Sequence, residues 1–236
     1  MRQAEDELAS LQEAGLLRHL RSLDTEHPPF LLLDDRRIVN FASNDYLGLA
    51  RDAEMVSAAQ EATARFGAGS GSSRLICGSL TPHHQLEETI ASWKGTEAAL
   101  SFSNGYAAAV GVLTSILRKG DVVIIDKLSH ACLIDGARLS DATLRVFPHN
   151  NLDKLERLLD AAREKLPAEA RILVVTESIF SMDGDRAPLA DVVEIVERHG
   201  ALLLVDEAHA VGILGTGGEG LAADLGVQEG ITFHMG

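Results

Sequence analysis

Short apolar runs alternate with longer segments of mixed polarity over most of the chain. Runs such as ILVV and ALLLV contain no polar residue, which is typical of parallel strands that helices cover on both faces. The pattern predicts strands at residues 98–102, 122–126, 144–147, 172–176, 202–206 and 231–235, and helices at residues 85–93, 106–117, 131–139, 153–165 and 189–199. This alternation indicates an α/β fold built on a mostly parallel sheet.

The first fifty residues have a different pattern. Leucines recur at near-helical spacing between residues 5 and 23, with charged residues between them, which predicts an amphipathic helix. The stretch FLLLDDRRIVNF then places two β-type runs around Asp34 and Asp35, and aspartates tolerate the backbone conformations of tight turns. We therefore expect residues 1–50 to form an arm of one helix and one β-hairpin, and residues 51–236 to form a single large domain.

The composition is that of a globular protein. The chain has 236 residues, of which 46% are hydrophobic and 24% charged, and its formal net charge is -14. Such an acidic balance argues against nucleic acid and anionic membranes as partners. The sequence contains no signal-peptide pattern and no run near the ~20 apolar residues of a membrane span, so we expect a cytoplasmic location. The two cysteines, Cys77 and Cys132, lack metal-site spacing, and we expect both to be buried free thiols.

Candidate polar groups follow the predicted strands, and the carboxyl ends of parallel strands are where ligands bind in such sheets. Gly105 and Tyr106 open a helix whose free N–H groups suit a phosphate, although a plain helix start explains them almost as well. His130 lies near the start of the next helix, where a histidine is more often a cap or a surface group. Ser181 lies in the segment ESIFSMDGD, which also fits an ordinary acidic turn around Gly184.

Asp206 and His209 are the least ordinary of these groups. They follow the apolar run LLLV directly, in the stretch LLLVDEAHAVGILG. A carboxylate buried at a strand end is costly unless it meets a cation. A nucleotide-hydrolysing motor, a metal site and a heterocyclic cofactor are the three explanations to compare.

Two of these explanations lack supporting motifs. The letters DEAH suggest a nucleic-acid motor only beside a phosphate-binding loop of the form GxxxxGK[ST], and no such loop occurs. The stretch GTGGEG follows a polar turn, whereas a dinucleotide site needs it to open the helix after a first strand. Glu207, His209 and His130 stay open as metal ligands, but they lack the i, i+4 histidine spacing, and we expect no metal.

A cofactor explains more residues at once. An aromatic nitrogen heterocycle that acts as an electron sink needs a protonated ring nitrogen, and a buried Asp206 would raise the pKa of that nitrogen. His209 could donate to a ring oxygen, His130 could lie on the ring face, and the helix that Gly105 and Tyr106 open could hold a phosphate. Together these roles describe pyridoxal 5'-phosphate (PLP) in a fold of the aspartate aminotransferase type.

Several longer stretches resemble a known family. They are SNDYLGL, GSGSSRLICGSLTPHHQLE, LSHACLIDG, ESIFSMDGDRAPL and VDEAHAVGILGTGGEG, and they occur in order from residue 43 to residue 220. In this order and spacing the chain resembles the α-oxoamine synthases, which are PLP-dependent acyltransferases, from about residue 18 to its last residue. The resemblance implies a fold type I large domain, aspartate-aminotransferase-like, preceded by the helix and hairpin.

The resemblance also implies roles for individual residues. Asp206 would pair with the pyridine nitrogen, while His209 and Ser181 would contact the region of the ring hydroxyl. His130 would stack on the ring and face the substrate. Gly105 and Tyr106 would supply phosphate contacts.

Two further residues are implied in substrate binding. Arg18, in the stretch LLRHLR, matches an arginine assigned to the acyl substrate. Asn44, in SNDYLGL, resembles a residue near the amino-acid carboxylate. Both expectations come from the resemblance alone.

The implied reaction is a decarboxylative condensation of an amino acid with an acyl thioester. The wording MDGDRAPL, and the absence of a cysteine from SNGYAA, favour the member that joins L-alanine to a pimeloyl thioester in biotin biosynthesis. The acyl group would be carried by coenzyme A or by an acyl carrier protein. The stretches RLICG and SHACLIDG also resemble glycine C-acetyltransferase, which is the alternative. A homodimer is implied for every member.

Family members bind the cofactor through a lysine, which the resemblance places just after a segment like ITFHMG. The chain contains five lysines, none at that position: Lys94, Lys119, Lys127, Lys154 and Lys165. We therefore expect this stretch of sequence to lack both the cofactor lysine and the family's C-terminal small domain. A catalytically inactive module for binding or dimerisation is the second alternative.

Overall fold

The computed structural model describes residues 2–20, 22–23 and 29–236, with residues 2 and 3 described by their backbone alone. The chain forms two compact units, Met1–Arg65 and Phe66–Gly236. The division falls at the end of the second helix, further along the chain than the boundary at residue 50 that the sequence suggests. Among the described residues, no helix is both long and apolar enough to cross a membrane.

The first unit contains two helices and a hairpin. They are α1 (Arg2–Glu13), β1 (Phe30–Leu33), β2 (Arg36–Val39) and α2 (Ala53–Phe66). The hairpin is confirmed: β1 and β2 pair antiparallel, and Asp34 and Asp35 both take positive φ angles, 50° and 58°. Two successive residues in this conformation form the two-residue turn that matches the twist of a hairpin.

Both helices of this unit differ from the prediction. The sequence predicts a helix as far as residue 23, but α1 ends at Glu13, and Gly15 follows with a φ of 67°. A glycine in this conformation commonly ends a helix. The leucines beyond it, although at near-helical spacing, therefore do not belong to α1. Residue 21 lies outside the described residues. The pattern of apolar residues does not predict α2, because its many small side chains give no strong apolar stripe. Asp52 caps this helix, and its side chain accepts hydrogen bonds from the amides of Glu54 and Met55 at 2.9 and 3.1 Å.

The second unit is a parallel sheet with helices. Its strands are β3 (Val122–Asp126), β4 (Thr143–Phe147), β5 (Ile172–Glu177), β6 (Leu202–Asp206) and β7 (Phe233–Met235). Its helices are α3 (Thr81–Lys94), α4 (Gly105–Ile116), α5 (Ala131–Leu139), α6 (Leu152–Lys165), α7 (Leu189–Arg198) and the short α8 (Leu221–Asp224). The strand order is β4-β3-β5-β6-β7, and all four pairs are parallel, which confirms the predicted α/β class.

The central strands of the sheet bury alternate side chains on opposite faces. In β3, Ile124 packs into a cluster with apolar residues of α6 and α7, and Ile125 packs into a second cluster with residues of α4 and α5. Both are fully buried. Because helices cover both faces of the sheet, side chains on either face are shielded from water. Successive apolar residues, as in ILVV, are therefore favoured in these strands.

The order of the strands reverses at the centre of the sheet. The chain passes from β3 outward to β4, returns to β5 on the other side of β3, and then continues to β6 and β7. At such a reversal the loops after two neighbouring strands diverge and leave a crevice at the carboxyl ends. Here the loops after β3 and β5 carry His130 and Ser181.

The predicted strand at residues 98–102 is wrong. In place of a neighbouring strand, side chains bind this backbone: the Glu87 carboxylate accepts from the Ser101 amide at 2.7 Å, and Arg74 contacts the Ser101 carbonyl. No ladder of backbone hydrogen bonds forms along these residues in the described part of the chain. β7 is also shorter than predicted and starts at Phe233, because the residues before it form a 3₁₀ turn over Gln228–Gly230.

Candidate active site

Three acidic residues end three neighbouring strands of the sheet. Asp126 is the last residue of β3, Glu177 of β5 and Asp206 of β6, and all three are buried. Glu177 and Asp206 are direct partners in the register of β5 and β6. The parallel topology therefore collects carboxyl groups at one edge of the sheet, beside the crevice.

Asp206 is buried and forms no ion pair with a lysine or arginine among the described residues. Its side chain is 7% exposed, and its Oδ1 accepts from the amide of Ala208 at 2.9 Å. Burial raises its pKa, while that amide and the nearby His130 and His209 partly offset the rise. No hydrogen bond is assigned to Oδ2 among the described residues. A desolvated carboxyl group with an open oxygen suits a positively charged ligand atom.

Glu177 joins the two loops that border the crevice. Its carboxyl group accepts hydrogen bonds from the backbone amides of His130 and Ser181. Burial raises the pKa of Glu177, and the charges of Asp206 and Asp126 raise it further, while the two hydrogen bonds lower it. The net result is a pKa of about 7. The sequence analysis treated this acid as part of a turn. The signal that identifies it is the same as for Asp206, an acid directly after a buried apolar strand.

His130 is the N-cap residue of α5. Its Nδ1 accepts from the amide of Cys132 at 3.3 Å and lies 2.9 Å from the Cys132 Sγ. The side chain is exposed, and its backbone is held by Glu177. His209 is half-buried in the turn after β6, within electrostatic range of Asp206. The structure thus brings His130, Ser181, Asp206 and His209 together around the ends of β3, β5 and β6.

Gly105 and Tyr106 are the first two residues of α4, as predicted, and both are exposed. The Asn104 side chain accepts from the amide of Ala107 at 2.8 Å. Over the part of the chain that the structure describes, no acceptor is assigned to the amides of Gly105 and Tyr106, so they are open to an anion. The Tyr106 hydroxyl lies 3.4 Å from Asp135 of α5, which links the starts of two helices.

Arg18 and Asn44 belong to the first unit. Arg18 is exposed after the end of α1. Asn44 is also exposed, and its Oδ1 accepts a weak hydrogen bond from the Tyr46 hydroxyl at 3.5 Å. Their roles in substrate binding stay predictions.

Glu207 belongs to a buried ion pair that the sequence analysis missed. Lys94 Nζ donates to its Oε2 at 2.6 Å, His234 Nδ1 lies 3.4 Å from the same oxygen, and the Ala222 amide donates to Oε1 at 3.0 Å. Burial alone would raise the pKa of Glu207, but the contacts with His234, Ala222 and Lys94 lower it to about 2. Both carboxylate oxygens of Glu207, which the sequence left open as a metal ligand, are thus engaged by protein groups. The described residues contain no cluster suited to a metal ion.

A second polar network fixes the loop that carries Ser181. His149 bridges two acids, with Nδ1 3.0 Å from Asp126 Oδ1 and Nε2 2.8 Å from Asp185 Oδ2. Burial lowers the pKa of His149, but the hydrogen bonds with Asp185 and Asp126 raise it overall. The turn itself is confirmed, because the Gly184 amide donates to the Phe180 carbonyl at 2.8 Å with a φ of 70°. Sequence spacing gave no signal for this bridge, whose members are 23 and 36 residues apart.

The structure also bears on the expectations for the two cysteines and for the stretch GTGGEG. Cys132 is buried as expected, but Cys77 is exposed. Cys77 lies in the π-helical segment Arg74–Gly78, where the backbone buries Gly78 and leaves the preceding side chains outside. The glycines of GTGGEG form turns before the four-residue helix α8 and do not follow a strand directly, which agrees with the rejection of a dinucleotide site.

The sequence profile of one protein family matches residues 36–234. Its description is "Aminotransferase class I and II". A protein described as 8-amino-7-oxononanoate synthase from Anaeromyxobacter sp. (strain K) is 48% identical over 230 residues, which are 98% of this chain and 56% of that protein.

Solved structures agree with the sequence relatives. Serine palmitoyltransferase from S. paucimobilis with bound PLP-myriocin aldimine matches with a TM-score of 0.87 at 32% identity, over 98% of this chain and 57% of that one. Sphingomonas wittichii serine palmitoyltransferase matches with a TM-score of 0.88 at 35% identity, over 97% of this chain and 58% of that one. The chain therefore spans less than two thirds of the length of these relatives.

Proposed function

The chain belongs to the class I and II aminotransferase family, and on this basis we propose that it forms the cofactor-binding part of a PLP-dependent 8-amino-7-oxononanoate synthase. The proposed reaction joins the α-carbon of L-alanine to the carbonyl carbon of a pimeloyl thioester. The thiol leaves, and the alanine carboxylate is lost as carbon dioxide.

One observation carries the cofactor assignment. Asp206 is buried, its pKa is raised by burial, and it has an open oxygen at the end of β6, the strand next to the strand-order reversal between β3 and β5. A protonated pyridine nitrogen is a cation that would relieve this cost. The family membership and the solved relative that contains PLP support the same cofactor.

The described residues suit the parts of PLP. When bound, PLP supplies an electron sink for negative charge on the α-carbon of the amino acid. Asp206 would hold the positive charge on the ring nitrogen, and the open amides of Gly105 and Tyr106 would bind the phosphate. Ser181 and His209 would donate to the ring oxygen. The loops that carry these groups are fixed by Glu177 and by the His149 bridge.

The choice of substrates rests on the sequence relatives. Several relatives described as 8-amino-7-oxononanoate synthase are 42% to 49% identical, whereas the serine palmitoyltransferase structures are 32% to 35% identical. Arg18 would bind the acyl substrate, Asn44 the amino-acid carboxylate, and His130 would face the bound substrate. Coenzyme A or an acyl carrier protein would carry the pimeloyl group, in a homodimer located in the cytoplasm.

An assay of the full-length protein tests this proposal. L-alanine, glycine and L-serine are each combined with pimeloyl, acetyl and palmitoyl thioesters, and thiol release and carbon dioxide are measured together. We expect the highest kcat/KM for alanine with the pimeloyl thioester. A preference for glycine with the acetyl thioester would support glycine C-acetyltransferase instead, and serine with the palmitoyl thioester would support a serine palmitoyltransferase.

The same samples test the alternative of an inactive module. Such a module would release no thiol with any pair of substrates. Ultracentrifugation in the same buffer would then show whether dimerisation is its remaining property.

A further inference from the structure

The thiol of Cys132 lies beside Nδ1 of the His130 ring. Its Sγ is 2.9 Å from Nδ1, and the side chain is 4% exposed in an apolar cluster that includes Leu133 and Val175. Apart from this ring nitrogen, the described residues offer the sulfur only the backbone amides of Leu133 and of Cys132 itself, which are donors. The contact therefore connects a buried donor to one specific nitrogen of an exposed ring.

Two contacts with residue 132, one from its backbone and one from its thiol, bear on which nitrogen of His130 carries the proton. The Cys132 amide donates to Nδ1 at 3.3 Å, and an amide N–H can only donate. This long contact favours an unprotonated Nδ1, which leaves the proton of the neutral ring on Nε2. A thiol at 2.9 Å from the same nitrogen then has to be the donor as well.

The surroundings of the thiol keep it in the donating form. Burial raises the pKa of Cys132, and the charges of Asp206 and Glu177 raise it further. A neutral S–H group is a weak donor, but here it has no competing acceptor in the described structure. The backbone of His130 is held separately, because its amide donates to Glu177 and its carbonyl accepts from Leu133 at 3.0 Å.

We propose that Cys132 is a positioning residue that holds His130 as the Nε2–H tautomer and so makes this histidine a hydrogen-bond donor towards an acceptor oxygen of the bound ligand. This inference rests on the proposed function for the identity of the ligand. The hydrogen bond between Cys132 and His130 does not depend on it. Of the two ring nitrogens, Nε2 alone has no partner among the described residues, and the side chain is exposed.

The first test observes the thiol directly. The S–H stretching band of Cys132 is obtained from the full-length protein as the infrared difference between wild type and Cys132→Ser. We expect this band at lower wavenumber in the wild type than in a His130→Phe background, because the phenyl ring offers no acceptor. An unchanged band would overturn the proposal. Cys77→Ala serves as the control, since Cys77 is exposed and should leave the Cys132 band in place.

The second test observes the ring. In protein labelled with ¹⁵N in its histidine rings, the His130 resonances are identified by their loss in His130→Phe. We expect the shift pattern of the Nε2–H tautomer in the wild type and in Cys132→Ser, which keeps a donor. Cys132→Ala should show a larger Nδ1–H fraction. A wild-type Nδ1–H pattern would contradict the proposal without any need for a variant.

The third test connects the bond to turnover. With alanine and the pimeloyl thioester, Cys132→Ala should lower kcat/KM by about threefold to tenfold, the effect of one neutral hydrogen bond. Cys132→Ser should restore it to within about twofold on the same basis. If the spectra behave as expected but no substrate pair is turned over, the proposed function fails and the Cys132–His130 bond stands. If turnover occurs and the thiol band does not move, the positioning role fails alone.

Discussion

Asp206, Glu177 and Glu207 are buried acids at the same edge of the sheet, but the groups around them differ. Asp206 accepts a hydrogen bond from one backbone amide and has an open oxygen. Glu177 accepts hydrogen bonds from two backbone amides and lies near other acids. Glu207 forms an ion pair with a lysine. The pKa values are accordingly raised for the first two and lowered for Glu207. Sequence alone identified Asp206, because an acid after a buried strand needs a cation. It gave no means to distinguish the other two, whose partners are 47 and 113 residues away in the chain.

Asp206→Asn tests the charge at the centre of the site. An amide keeps the shape of the side chain but cannot carry the negative charge that would hold a protonated ring nitrogen. We expect kcat to fall by at least about 100-fold, as for the loss of a charge-assisted bond in a buried site, with an unchanged circular dichroism spectrum. Steady-state kinetics of the full-length protein measure this. Asp191→Asn, an exposed acid on α7, is the control, and near-normal turnover by Asp206→Asn would remove the proposed role from this residue.

Glu177→Gln tests the cost of the buried acid as a function of pH. The pKa of Glu177 is about 7 in the fold against an ordinary value of 4.5, so the folded state retains a proton that the unfolded state has lost between these values. The free energy of unfolding should therefore fall as the pH rises from about 4.5 to about 7, by up to about 3 kcal/mol. Glutamine resembles the protonated acid, and it should flatten this part of the profile in urea titrations. A variant with the same slope as the wild type would show that Glu177 is not its source.

At the level of elements, the sequence predicted those helices and strands whose own residues show an apolar pattern. Strands and helices of the sheet were located because each has an apolar pattern of its own. The stretch at residues 98–102 has the same apolar character, but a strand also needs a neighbour, and here Glu87 and Arg74 bind the backbone. α2 was missed for the opposite reason: it is a helix without a buried residue, so no apolar stripe marks it.

Gly136→Ala tests the close approach of α4 and α5. A Cβ atom at this position would lie 2.7 Å from Leu113 Cδ1 and 3.0 Å from the Ala109 carbonyl oxygen. Overpacking of this kind costs about 1–3 kcal/mol, and the better helix propensity of alanine recovers at most about 1 kcal/mol. We expect a net loss of about 1–2 kcal/mol in urea unfolding. Arg138→Ala on the exposed side of α5 should stay within about 0.5 kcal/mol of wild type, and equal values for the two variants would argue against the tight contact.

At the level of the whole molecule, the Lys94–Glu207 pair ties α3 to the ends of β6 and β7 and to the start of α8. Lys94→Met would leave Glu207 buried without its cation, and we expect a loss of about 3–5 kcal/mol. The pair Arg198–Glu156 is exposed, so Arg198→Met is the matched control and should cost less than about 1 kcal/mol. Similar losses for both variants in urea titrations would mean that the buried Lys94–Glu207 pair contributes no more to stability than the exposed pair.

The same pair predicts the behaviour of the fold in acid. Glu207 has a pKa of about 2 in the fold and an ordinary value of 4.5, so its contribution is present above about pH 4.5 and is lost as the pH falls towards 2. Glu207→Gln should remove this part of the acid sensitivity. Glu177 acts in the opposite direction over a higher pH range, so the two variants can be told apart in one series of titrations.

Glu177 stands beside Asp206 in the register of the sheet, and its pKa of about 7 gives this edge an exchangeable proton at neutral pH. A ligand that arrives with a positive charge would stabilise the ionised form of Glu177 and release its proton into the surrounding buffer. Isothermal titration calorimetry in phosphate and in Tris should then give different apparent enthalpies for one and the same association, in proportion to the ionisation heats of the two buffers. The difference between the two enthalpies would thus measure how much of its proton Glu177 gives up when the ligand binds.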